Sequence, residues 1–488
     1  MESLLSAVKE ISSVYQEKGF GSVADTAKAE ALLARFIEQN WDSRAAVDAV
    51  RCPQWDYYVI TMMDVFYTLS CKYPARGMHF AAIHLKPEDL AIVVENFDSI
   101  AESLRSNLED VEVLVQQGLL KEAVAVEYHE QLTSLQIQLT KSVDGSSVPC
   151  LIGRPLMFSA EIPFMDAICQ AIFRHRHAHA SGQKQLLLSD ASTLFATALR
   201  CVQTSAVDGL PSTALFACRR TQHLSGRHIH AWTVKIFCES FPASKCLGFS
   251  SVYPKMAYPE QQKPLIGTVG HILAMALRAL YEHQQNMVAM VLTDIIASVA
   301  VALLHDSNMI VFLLDSVDAM WMARLFASDG KPTLLADHIR SLIPDKRVYY
   351  RLDSGTVDEA VEVTQLMSIG LGTPVGIVHS EVKDITTMDD SRIAMIGVGG
   401  AITQGRSPKN SVNIAVKIIG VELGETFIPT FKKSGTEGKW SSNPVVHSHA
   451  DTVKFVSEGA GIVEKTIEST PQARLVEVFK VCMGELGA

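Results

Sequence analysis

The chain lacks most of the features that sort a sequence quickly. Its nine cysteines are scattered at 52, 71, 150, 169, 201, 218, 238, 246 and 482, and none forms a C-x-x-C pair. An odd, dispersed set excludes a disulfide framework and a Cys-type zinc site as organising devices, and it points to a reducing compartment. No internal repeat and no low-complexity linker is present. An excess of basic residues is also missing: 43 Lys and Arg stand against 53 Asp and Glu, for a net charge of −10. That disfavours a nonspecific nucleic-acid surface, although a small basic pocket for a phosphorylated substrate is compatible with it. The opening residues, Met1 to Glu10, show no basic stretch followed by an apolar one, so they read as a short amphipathic helix rather than a leader.

What is present is core-forming material. At 488 residues the expectation is roughly two to four domains. With 48% hydrophobic and 20% charged residues the chain can bury a large core. The most apolar stretch, Met287–Leu304, is about long enough to span a bilayer, but Asp294 sits in its middle beside Thr293. It reads as a buried helix of a soluble, cytoplasmic protein with no membrane partner.

Residues 1–45 look helical, with a break at Lys18-Gly19-Phe20-Gly21, and 86–142 carry long helical patterns. Pro87-Glu88-Asp89 is a first-turn signal with proline at the first helical position. From about residue 245 the rhythm changes. Short apolar, β-branched runs appear at 245–252, 264–269, 309–315, 347–353, 374–380 and 392–400; the last four end in a polar residue or glycine, and the first two carry Ser250 and Thr268 just before their ends. Helical patterns at 269–282, 318–327 and 357–369 lie between them. Alternating strand and helix predicts parallel βα units. The C-terminal edge of such a sheet is where ligands bind, so Ser250, Thr268, Asp315, Asp353, Ser380 and Gly397 are expected to rim one site.

Four segments carry possible chemistry. Arg351-Leu352-Asp353-Ser354-Gly355 offers a guanidinium fork for phosphate and a carboxylate for ribose hydroxyls or a metal-bound pyrophosphate; a salt bridge and a turn explain it equally well. Gly397-Val398-Gly399-Gly400 lets backbone N–H groups approach a phosphate. It is neither a G-x-G-x-x-G fingerprint nor followed by a Walker lysine, so Rossmann and P-loop readings fail. Gly267-Thr268-Val269-Gly270-His271 ends a strand and opens a helix; its histidine can be a nucleophile or base, or simply structural. Phe216-Ala217-Cys218-Arg219-Arg220 sets paired guanidinium groups beside an aromatic ring, which suits a planar anion or a solvated basic pair. Two histidine clusters stand apart. In Arg174-His175-Arg176-His177-Ala178-His179 a metal site on His177 and His179 is set against a basic loop, and His447-Ser448-His449 reads as a solvated tail.

Taken in order, these segments resemble the nicotinate phosphoribosyltransferase family, with the related nicotinamide enzymes more distant. Asp56-Tyr57-Tyr58-Val59-Ile60-Thr61, Gly248-Phe249-Ser250-Ser251-Val252 and Asp315-Ser316-Val317-Asp318 complete the ordered set, which spans about residues 50–445. Lys417, Lys432-Lys433-Ser434 and Lys439 resemble the family's lysine-containing C-terminal segment. The resemblance implies an α/β fold: an irregular, TIM-like α/β barrel (161–404) with a second α/β domain from N- and C-terminal segments (46–160 with 405–488), and here an N-terminal helical extension (1–45). It implies phosphoribosyl transfer from phosphoribosyl pyrophosphate to nicotinate, in a homodimer, with Mg²⁺ present and ATP as co-substrate through a phosphohistidine. By matching position, Tyr58 and Phe216 would sandwich the pyridine ring, and Arg219 with Arg220 would meet the ring substituent and phosphates. His271 matches the phosphorylated histidine. Arg351, Ser354 and Asp353 would hold phosphoribosyl pyrophosphate, Asp353 also its metal, with Ser250, Thr268, Asp315 and Ser380 lining the substrate site. Gly397, Gly399 and Gly400 would cradle the 5′-phosphate, and His271, Asp353 and Arg219 form the expected catalytic set. The chain departs from the family pattern at Val59, Phe249-Ser250-Ser251, Ile272, Thr356 and His379-Ser380-Glu381. Nicotinamide as the base, and a catalytically silent relative acting as a scaffold, are the alternatives.

Overall fold

The computed structural model describes residues 55, 57–72, 77–83, 85–142, 145–176, 221–224, 265, 269–379, 390–398, 414–430, 432–433, 440–441 and 461–488. The expected extension at 1–45 and the strand at 245–252 lie outside them. Two five-stranded sheets organise the described chain.

The first sheet is antiparallel. β1 (Gly77–Ile83) lies at its centre, between β3 (Ser147–Gly153) and β11 (Ala415–Leu423); β2 (Gln136–Lys141) and β12 (Thr426–Pro429) are the edges. Phe80 opposes Leu151 on one side and Ile418 on the other, so a segment from beyond residue 414 pairs directly with one from before residue 84. Side chains alternate across the sheet. Met78, Phe80 and Ala82 enter the main core, while Ala81 faces the other way with Val148, Cys150 and Ile419. On the core side, the Phe158 ring stacks on Phe66 at 4.4 Å and meets Phe80 edge-on at 4.8 Å. Phe66 belongs to α1 (Tyr57–Lys72).

The helical pattern at 86–142 resolves into α2 (Pro87–Glu95), α3 (Phe97–Leu108), α4 (Glu112–Gln116) and α5 (Glu122–Thr133). Proline stands at the start of α2, as expected. The last part of that pattern is β2 instead. Its Gln136-Ile137-Gln138-Leu139-Thr140 alternation has period two, and a Gly145 turn returns the chain to β3. After a six-residue 3₁₀ segment (Pro155–Ala160) comes α6 (Glu161–Arg176).

The second sheet is parallel, in the order β5 (Met309–Phe312), β8 (Arg347–Leu352), β9 (Val375–His379), β10 (Ile393–Val398), β4 (Thr221–Leu224). The expected strands at 309–315, 347–353, 374–380 and 392–400 are all present, each a little shorter. Residues 264–269 are described only at Leu265, an isolated bridge, and at Val269. α7 (His271–His283) and α8 (Met287–Leu304) form a hairpin ahead of β5, and α8 packs on β5, α1 and α7. The expected helix at 318–327 is the shorter α9 (Ala319–Arg324). Asp318 caps it, and left-handed Asp329 and Gly330 then fold a tight hairpin of β6 (Ala327–Ser328) and β7 (Lys331–Pro332). α10 (Leu334–Leu342) precedes β8, and α11 (Val357–Leu371) joins β8 to β9.

α8 is the one helix among the described residues long and apolar enough to cross a membrane, and most of it is buried inside the fold. Each fully buried Leu, Ile or Val on it contributes about 1.5–3 kcal/mol relative to exposure. Late in the chain come β13 (Lys432–Lys433), β14 (Trp440–Ser441), a helix at 461–469 and the terminal helix Gln472–Leu486, which packs on α8 and α10.

Candidate active site

In a parallel sheet every strand delivers its C-terminal residue to the same edge. Here that edge receives Asp315 after β5, Asp353 and Ser354 after β8, His379 closing β9 and Gly397 near the end of β10. His271 reaches the same place from the first turn of α7, whose N-cap is Gly270 in extended backbone. The buried N–H of Gly270 donates to Met62 Sδ of α1 at 3.2 Å, which fixes where α7 begins.

The side chains interlock. His271 Nε2 lies 2.7 Å from Asp315 Oδ1. A carboxylate only accepts, so this contact puts the proton on Nε2 and leaves the lone pair of the neutral ring on Nδ1. Nδ1 faces Asp353 Oδ2 at 3.6 Å, outside hydrogen-bond range. Ser354 Oγ donates to the other Asp315 oxygen at 2.7 Å. Arg351 donates through one terminal nitrogen to Asp353 Oδ1 at 2.8 Å and through the other to the Val269 carbonyl at 3.4 Å. Side-chain exposure is 5% for Asp315, 10% for His271 and 16% for Asp353, so the charges meet in a largely dehydrated place where they interact strongly. Tyr350, on β8, titrates well above its ordinary value because it is buried and because Asp315 and Asp353 oppose its ionisation.

Local sequence explains the placement. Gly355 has φ +98, a conformation L side chains rarely adopt, and it lets the chain turn sharply off β8 so that Ser354 points back to Asp315. Thr356 is the N-cap of α11: its hydroxyl accepts from the Glu359 N–H at 3.2 Å, while Glu359 Oε2 accepts from the Thr356 N–H at 2.7 Å. This departure from the family pattern is therefore a capping box, which needs Ser or Thr at that position.

A hard cation such as Mg²⁺ takes oxygen ligands and keeps several waters. His271, Asp315 and Asp353 each place a donor atom within 4.8 Å of the others. The two carboxylates supply the oxygens such an ion prefers, so these residues fit one.

Of the expected site residues, the structure brings together His271, Asp315, Arg351, Asp353 and Ser354, and it sets the Gly397 backbone on the same edge. Phe216, Arg219, Arg220, Ser250, Thr268, Ser380, Gly399 and Gly400 lie outside the described residues, as do His177, His179, Ser434 and Lys439. Tyr58 is described only as backbone in α1. Lys417 lies on β11 opposite Ala81. His175 is exposed near the end of α6, a helix rather than a strand. Sequence reasoning missed the way Asp315 holds the histidine; the signal available was the Asp315-Ser316 pair directly after an apolar run.

No family model matches the chain, and no curated protein does. Solved structures do. The nicotinate phosphoribosyltransferase of Porphyromonas gingivalis superposes with a TM-score of 0.57 at 15% identity, covering 84% of this chain and 98% of its own. That of Vibrio cholerae gives 0.55 at 16% identity, covering 84% and 97%. The chain therefore has the mixed α/β fold of these proteins over most of its length.

Proposed function

We propose that the chain is a divergent nicotinate phosphoribosyltransferase, joining phosphoribosyl pyrophosphate to nicotinate to give the mononucleotide and pyrophosphate in cytoplasmic NAD salvage. One observation carries the reading. The residues expected at the phosphoribosyl site from a family resemblance gather as two hydrogen-bonded groups, His271–Asp315–Ser354 and Arg351–Asp353, with His271 Nδ1 and Asp353 Oδ2 3.6 Å apart, at the C-terminal edge of a parallel sheet, in a fold shared with solved nicotinate phosphoribosyltransferases. Chance assembly of five such side chains is a poor rival explanation.

The chemistry suits the reaction. Loss of pyrophosphate from the anomeric carbon creates an oxocarbenium-like centre and a highly charged leaving group, so positioning and charge complementarity must lower the barrier. Asp315 and Asp353 would hold Mg²⁺, which when bound neutralises charge on the pyrophosphate. Arg351 supplies a planar fork for phosphate oxygens. The N-terminus of α7, where His271 sits, would favour an anion bound beside it. Asp315 fixes the His271 ring through Nε2, which leaves Nδ1, beside Asp353, as the nitrogen that would carry the nucleophilic lone pair. For ATP coupling, Nδ1 attacks the γ-phosphorus, the bond to the bridging oxygen breaks, and ADP leaves. Strands expected from the sequence at 245–252 and 264–269 would extend the parallel sheet toward a TIM-like barrel. A homodimer would bring Tyr58 to the partner's pyridine site.

The test is product formation. The purified chain with phosphoribosyl pyrophosphate and Mg²⁺ should convert labelled nicotinate to its mononucleotide, faster with ATP. Turnover of nicotinamide alone would replace the base, and no turnover or binding would leave a silent scaffold. His271→Ala should lose ATP stimulation while retaining part of the ATP-independent rate; equal loss of both would remove the phosphohistidine role.

A further inference from the structure

The β5 ladder ends at Phe312, three residues before the carboxylate that holds His271. Residues 313–316 lie past the last sheet pairing, yet Asp315 must be placed within a fraction of an ångström to act. Two side chains of α8 take hold of this stretch. Ser298 Oγ accepts from the Leu313 N–H at 3.3 Å, and Asp294 Oδ2 accepts from the Ser316 N–H at 3.0 Å. The two residues are one turn apart on a single face, and Ser298 also donates to the Asp294 carbonyl at 2.8 Å. Behind them stands Arg278, with a terminal nitrogen 3.8 Å from Asp294 Oδ1. Arg278 lies on α7 seven residues after His271, two turns down the same helix face.

This layer is poorly built as a stabilising device. Asp294 is 2% exposed, and its Oδ1 and Arg278 Nε find no hydrogen-bond partner among the described residues. A buried ion pair this loose often contributes less than apolar side chains of similar volume would. It sits in α8, the most apolar of the described helices, among buried Val, Leu, Ile and Ala side chains. Among the described residues the Asp294 carboxylate directs its close hydrogen bonding to Ser316, beside Asp315.

We propose that Asp294 and Ser298 are positioning residues: a two-point polar clamp that replaces the missing sheet ladder, holds residues 313–316, and so sets Asp315 against His271, with Arg278 as the counter-ion tying the clamp to the helix that carries the histidine. The inference rests on the transferase reading for its kinetic consequence, but its geometric consequence stands alone.

Two double variants separate the clamp from mere burial. Arg278→Met with Asp294→Asn removes both charges and keeps an acceptor for the Ser316 N–H. Arg278→Met with Asp294→Leu removes the acceptor too. Their melting temperatures should be similar. The Asn form should keep most of the turnover, whereas the Leu form should lose kcat by on the order of 100-fold with little change in KM for phosphoribosyl pyrophosphate. The imidazole resonance of His271, assigned by its loss in His271→Ala, should keep its position in the Asn form and move in the Leu form. Ser298→Ala provides a milder version should the Leu form fail to fold, with the same direction in both readouts. If the wild type makes no mononucleotide, the transferase reading fails, and the imidazole shift alone decides the clamp. Equal His271 signals in the two double variants and in Ser298→Ala would overturn it.

Discussion

The two five-stranded sheets place their charges in opposite ways. In the antiparallel sheet, the His79–Glu422 pair leaves the glutamate 40% exposed, and burial holds His79 below its ordinary value against the pull of that glutamate. Apart from Lys417 on β11, the described sheet presents largely apolar faces and a polar edge strand, β2, an arrangement suited to stability. In the parallel sheet, two aspartates, a histidine and an arginine crowd a nearly dry edge, where each charge carries a desolvation cost that its partners must offset. Side chains kept together against that cost are what the proposed site requires. The comparison predicts a division of labour. Changes at the parallel edge should reduce activity with little loss of stability, and changes in the antiparallel sheet should do the reverse.

The largest expected effect is at Asp315. Asp315→Asn keeps the shape and can still bond both His271 and Ser354, but it removes the charge and permits the wrong ring tautomer. Turnover should fall by about 100-fold or more, while the urea midpoint hardly moves. A large midpoint shift with preserved turnover per folded molecule would break the comparison. Asp353→Asn should weaken phosphoribosyl pyrophosphate binding, read by calorimetry with Mg²⁺. Next comes Gly153→Ala at the end of β3. A methyl group there would sit 2.6 Å from the Met157 Cβ, so the 3₁₀ segment must shift. A loss of about 1–3 kcal/mol is expected, with kcat unchanged. Thr356→Ala removes the α11 cap and should cost about 1 kcal/mol. If it abolished turnover as well, Thr356 would belong to the chemistry and not only to the helix start.

Much of the parallel half was legible because its signals are local. Apolar β-branched runs ending in Asp315, Asp353 and Gly397 mark strands whatever they pack against, and a shared C-terminal edge follows from their being parallel. β2 was not legible, because Gln136 to Lys141 follows helix α5 after only two residues and shows its period only over six. The end of β5 at Phe312 was also hidden. The run stays apolar through Leu314, and what ends the ladder is the geometry by which α8 takes over the backbone. Asp294 could be singled out as an odd residue in an apolar helix, but its use could not, since Ser316 lies 22 residues away in sequence.

The smallest expected effect concerns the contact between the regions. Asp64 of α1 meets Lys121 at 3.0 Å, at the start of α5, and faces His305 at 3.6 Å, at the end of α8; Tyr57 bonds the other nitrogen of that histidine at 2.8 Å. Burial works to raise the Asp64 carboxyl, but His305 and Lys121 outweigh it and hold it below its ordinary value. A carboxyl that titrates lower in the folded chain than in the unfolded one contributes its stability above the ordinary carboxylate range, and that contribution disappears as pH falls through the folded value. Lys121 is 66% exposed, so solvent screens much of the interaction and its worth is at most about 1 kcal/mol. Urea midpoints measured from pH 7 down to about 3 should therefore fall less steeply for Asp64→Asn than for the wild type. Parallel curves would mean that the apolar contacts of α8 join the two regions without help from this cluster, and the polar residues that matter would then be confined to the parallel edge.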